Sequence, residues 1–87
     1  MNATKVKVTN RWDVPNQFEI ETENGRYFQS YDSVIAFIDH AGNVTLDKTY
    51  WDYSPTTGKY RNRFLGEGIK ETRLKIKSGE YKLSDLN

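Results

Sequence analysis

The chain has 87 residues, the size of one domain, and no cysteine, which excludes a disulfide framework and a thiolate metal site. Apolar residues make up 36% and aromatics 14%, so the core has to be built from Trp, Tyr and Phe rather than Leu. A net charge of +1 sets up no overall field toward nucleic acid or membrane, no apolar run approaches the ~20 residues of a membrane span, and Met1–Lys5 lacks a signal-peptide core; the expectation is a soluble, cytoplasmic protein.

Residues 4–9 alternate around Val6 and Val8, which reads as a short edge strand with lysines on its exposed side. Residues 11–16 read as a loop: Pro15 pushes Val14 away from helix, and Trp12 plugs one end of the core. Residues 17–23 make the cleanest strand, with Phe18, Ile20 and Thr22 on one face and Glu19, Glu21 and Glu23 on the other. Asn24-Gly25 is a type I′ hairpin signal, with the return strand over residues 26–31. Val34-Ile35-Ala36-Phe37-Ile38 runs apolar without a break. Its period does not decide between a strand buried on both faces and a short buried helix; length and β-branching favour the strand. A turn over residues 39–43 then leads into an alternating strand, Val44-Thr45-Leu46-Asp47.

Ser54-Pro55 reads as an N-cap and first helical residue, and Gly66 as the stop. Tyr53, Thr57, Tyr60 and Phe64 recur at spacings of four, three and four, placing them on one helix face with Lys59, Asn62 and Arg63 opposite. After the hinge Gly66-Glu67-Gly68, a second helix runs from Ile69 to about Ser78, with Leu65, Ile69, Thr72 and Ile76 on one face and Glu71–Lys75 as an i, i+4 pair. Gly79 ends it, and Tyr81 and Leu83 form either a last strand or a tail folded on the core. The predicted fold is α+β: an antiparallel sheet of about four strands followed by two short helices packed on one face.

Charge is segregated. Residues 1–53 hold eight acidic and five basic side chains, a net of −3; residues 54–87 hold eight basic and four acidic, a net of +4. Two candidate binding surfaces follow. One is the basic helical face: Lys59, Arg61, Arg63, Lys70, Arg73 and Lys77, suited to phosphates or an acidic protein. The other is an acidic ladder, Glu19, Glu21 and Glu23, suited to a basic groove. Each also reads simply as a solvated surface. Trp51, Tyr53 and Tyr60 suit base stacking only if exposed, and the helical spacing assigns Tyr60 to the core.

Catalysis is not expected. His40, the one histidine, sits in a turn and has no specified nucleophile partner. Asp39, His40, Asp47 and Asp52 match no metal-ligand spacing, and Gly66-x-Gly68 lacks the rest of a phosphate-cradling motif. No catalytic residue, metal or cofactor is therefore assigned.

Three strings carry a family resemblance: Tyr31-Asp32-Ser33-Val34-Ile35-Ala36; Tyr50-Trp51-Asp52-Tyr53-Ser54-x-Thr56-Thr57-x-Lys59-Tyr60-x-x-x-Phe64-Leu65; and Ile76-Lys77-Ser78-Gly79-Glu80-Tyr81. From about Asn16 onward the chain resembles a family of small uncharacterised domains encoded in phages and prophages of Gram-positive bacteria. The resemblance supplies no activity or site residues. It implies a non-enzymatic accessory protein that binds and modulates a host or phage macromolecule, with an anti-CRISPR-like inhibitor of host defence as the concrete case. The alternative is a small nucleic-acid-binding module using the basic helical face.

Overall fold

Local turn chemistry lays the first five strands down in sequence order. The computed structural model describes residues 6–10 and 12–87. The strands are β1 (Lys7–Thr9), β2 (Gln17–Thr22), β3 (Gly25–Ser30), β4 (Ser33–Asp39) and β5 (Val44–Asp47). Helices α1 (Pro55–Leu65) and α2 (Ile69–Ser78) follow, then β6 (Lys82–Ser84). The sheet order is β1-β2-β3-β4-β5-β6, antiparallel except for the parallel β5–β6 pair. A parallel neighbour needs a crossover, and the two helices supply it.

The predicted α+β class is therefore observed, with six strands where about four were expected. The run from Val34 to Ile38 is a strand, and the tail forms one too. The first two residues of the predicted edge strand, and Arg11 of the loop after it, lie outside the described residues. The hairpin forms, but Thr22 pairs with Gly25, so the turn is Glu23-Asn24 rather than Asn24-Gly25. The Thr22 hydroxyl oxygen accepts from the Asn24 N–H at 3.1 Å and braces that turn. Gly25, at φ 143°, instead lies against β4, where an added Cβ would sit 2.3 Å from the Ile38 carbonyl oxygen.

A β-bulge explains the unbroken apolar run. Phe28 faces Ala36 while Gln29 faces Val34, leaving Ile35 as the extra residue. Ile35 and Ala36 are both fully buried. With Phe28, Val44, Leu46, Tyr60, Phe64 and Tyr81 they form the core beneath the helices. Trp12 closes one end as expected, its ring 5.6 Å from Phe28 and 5.5 Å from Tyr60.

The two faces of the sheet are the reverse of the sequence expectation. Glu19 pairs with Phe28, so the glutamate side of β2 is the side under the helices. Gln17 and Glu19 are buried there, and Arg26 lies 3.5 Å from Glu19 with its guanidinium over the Phe64 ring. Ile20 shares a row with Val8, Tyr27 and Phe37 on the other, open face. Tyr27 and Phe37 cover each other at 4.4 Å, which leaves them half-buried without any helix above.

Two carboxylates tie the C-terminal half down. The Asp47 Oδ2 accepts from the N–H groups of Thr49 and Tyr50, and Oδ1 from that of Leu86. Burial raises its pKa, but these donors outweigh it and hold the group below the usual carboxylate range. Glu67, whose side chain is only 4% exposed, accepts from Thr72 at 2.6 Å, Lys75 at 2.7 Å and Tyr81 at 2.8 Å. Lys75 thus pairs with Glu67 rather than with Glu71 as the helical spacing suggested. Burial again opposes ionisation of Glu67, and its donors reverse the balance and lower its pKa; burial and the hydrogen bond to Glu67 push the Tyr81 phenol up to about 12.

A depressed folded-state pKa gives stability that is complete above the unfolded value, about 4.3 for glutamate, and lost as pH falls through the folded one. Glu67→Gln is therefore expected to lower stability at neutral pH and to flatten the decline below about pH 5. Urea unfolding of both proteins across that range checks this; parallel profiles would contradict it.

Candidate functional site

The loop between β5 and α1 forms one wall of a broad, open cleft. Asp47 turns the chain at Thr49 and Tyr50, and the Trp51 N–H donates to the Asp47 carbonyl at 3.1 Å. Ser54 then caps α1 as its sequence predicts, accepting from the Thr57 N–H at 3.1 Å. Two turns along the helix, Arg61 reaches back to this loop. Its Nη1 donates to the Trp51 carbonyl at 2.8 Å and Asp52 Oδ1 at 2.9 Å, and Nη2 donates to Asn62 Oδ1 at 3.0 Å. The guanidinium lies 5.2 Å from the Trp51 ring. Arg61 is only 1% exposed. It is a clamp between loop and helix, which corrects its placement on the exposed basic face.

The second Asp52 oxygen faces Arg73 of α2 at 3.5 Å. Around this carboxylate lies an open cleft of about 830 Å³, lined by Tyr53, Lys59, Arg61, Arg63 and Arg73 among others. Its floor is the Asp52–Arg61 pair, which largely cancels. Its rim is cationic: Lys59 and Arg63 are exposed, each over the Tyr60 ring at 5.4 and 5.2 Å, and the Arg73 side chain is 67% exposed despite its ion pair. Lys70 and Lys77 are exposed on α2 outside this lining. The structure thus gathers Lys59, Arg63 and Arg73, takes Arg61 inward and leaves two lysines apart.

The acidic ladder does not assemble as a solvent face. Glu19 is buried beside Arg26, Glu21 is exposed at the rim of the helix-covered side, and Glu23 sits in the turn, its carbonyl 2.7 Å from the ring Nε2 of His40. His40 is an exposed turn residue. Among the described residues, no three His, Asp or Glu side chains cluster so as to hold a metal, and no helix is long and apolar enough to cross a membrane.

Sequence reasoning placed Tyr53 on the buried helix face. It is 44% exposed and lines the cleft. The available signal was Ser54: helical periodicity does not extend back past an N-cap, so the spacing of Tyr53 to Thr57 carries no information about a shared face. A residue at that position packs on the fourth helical residue when it is apolar, and that residue here is Gly58, which offers no side chain.

The model of a family of unknown function, DUF8033, matches residues 3–81. The chain belongs to this family. Neither a curated protein nor a solved structure matches it.

Proposed function

We propose that this DUF8033 member is a non-enzymatic accessory protein that binds a macromolecule, and that its basic cleft receives the sugar-phosphate backbone of a nucleic acid. The observation that carries the reading is the rim of Lys59, Arg63 and Arg73 around a cleft whose one carboxylate, Asp52, is already engaged by two arginines. Such a site attracts phosphates and releases their counterions, so its affinity falls with salt. Arg61 is left out of the test because it holds the fold. The double variant Lys59→Glu/Arg63→Glu is expected to weaken oligonucleotide binding at low salt at least about 10-fold and to flatten the salt dependence by one to two ions. Fluorescence anisotropy against salt checks this; unchanged affinity and slope would contradict it.

A second reading, a phage-encoded inhibitor that docks on a host defence protein, draws on the family resemblance of the Tyr50–Leu65 string and on one structural observation. The open row Val8, Ile20, Tyr27 and Phe37 is free of charge and lies away from the helices. An uncharged apolar protein surface suits that row. In this reading Ile20→Asp abolishes protection of an infecting phage, and the cleft variant does not.

A further inference from the structure

We propose that the cleft is selective for single strands, with Tyr53 as the platform on which an unpaired base stacks. This rests on the nucleic-acid reading of the same cleft and goes beyond it in naming the ligand class.

The aromatic rings divide between the core and the surface. Trp12, Phe28, Tyr60 and Phe64 pack into one cluster and serve the core. Three tyrosines are left exposed: Tyr31, Tyr50 and Tyr53. Two of these stand together in the loop that forms one wall of the cleft. Tyr53 lines it, and Tyr50 sets its ring against Tyr53 at 5.6 Å and 80°, an edge-to-face contact that steadies the ring without covering it. The backbone beneath is fixed by Asp47 on one side and by the Ser54 cap on the other. Tyr53 is therefore an exposed aromatic surface on a held loop, beside three cations.

That pairing of ring and cations is what a single strand recognises. Its backbone follows the positive rim while a base lies on the ring, and every base has a face to offer, so the contact is tolerant of sequence. The rim arginines, Arg63 and Arg73, line the same cleft and offer a cation–π contact to a bound base. A duplex presents phosphates to the same rim but keeps its base faces inside the stack, so it gains the electrostatic part alone. Three rim cations match a short tract, about four nucleotides.

The test compares a thymidylate oligomer with a duplex of equal length, using the full chain and its Tyr53→Leu and Tyr53→Phe variants in low salt. The expected result is single-strand binding at least about 10-fold tighter than duplex binding, a loss of about 5- to 100-fold in Tyr53→Leu for the single strand only, and recovery in Tyr53→Phe. Tyr53 is exposed and outside the helix, so thermal unfolding of the variants is expected to match that of the parent. Equal, salt-dependent binding of both ligands would overturn the selectivity while leaving the cleft reading intact. A normal single-strand affinity in Tyr53→Leu would overturn the role of Tyr53. Absence of binding by either ligand would overturn both readings and leave the protein-docking alternative.

Discussion

Phe28→Ala is expected to lower the unfolding free energy by about 3–5 kcal/mol, and Phe18→Ala by no more than about half of that. Phe28 is fully buried, stacks on Phe64 at 5.7 Å and meets Trp12 edge-on, so its removal leaves a cavity walled by rings that cannot collapse into it. Phe18 lies on the open face and is half-buried; truncating it removes contact area but opens no enclosed void. A chain of this length has about 4–13 kcal/mol of stability in all, so the first substitution consumes a large part of it. Urea unfolding of the two variants decides which face the helices cover. If Phe18→Ala proved the costlier change, the helices would lie over Phe18, Ile20 and Thr22, as the alternation of β2 alone suggests.

Arg61→Met is the other large effect, expected at about 3 kcal/mol, toward the lower end of the cost of breaking a buried ion pair. The change strips the Trp51 carbonyl and Asn62 of their donor and frees the loop from the helix. Asp52 keeps access to water, with a third of its side chain exposed, and to Arg73, which holds the cost down. Arg61→Lys retains the charge without the planar fork and is expected to recover only part of the loss, because one ammonium cannot serve three acceptors in those directions. Thermal or urea unfolding measures both. A stable Arg61→Met variant with weakened oligonucleotide binding would return Arg61 to the ligand-contacting set.

What was legible in the sequence was whatever neighbours within four residues decide. Ser54-Pro55 and Gly66 bound α1, and Ile69 and Gly79 bound α2, because caps act on adjacent backbone groups. The strands of the meander were readable for the same reason. The covered face of the sheet was not. Arg26-Tyr27-Phe28 places an aromatic on each side of β3, and either pairing of the hairpin sets Phe28 beside the glutamates; the choice falls to Ala36 and Leu46, which join Phe28 across β4 and β5. Charged residues misled in the same way. Arg61 looks like any helical surface cation until Trp51 and Asp52 fold back onto it, and Glu67 in its glycine hinge gives no hint of the three donors that α2 and Tyr81 bring. The segregated charge pointed to a basic helical face; the cleft, and which of those cations line it, were set by tertiary contact.

The most direct test of the cleft is a titration of isotope-labelled protein with a thymidylate oligomer, followed by amide chemical shifts in low salt. The expected result is a set of perturbations confined to residues 50–63 and Arg73, fading as salt is raised, with Ile20, Tyr27 and Phe37 unmoved. Perturbations concentrated on that open row, or none at all, would contradict the assignment of the basic cleft as the binding site.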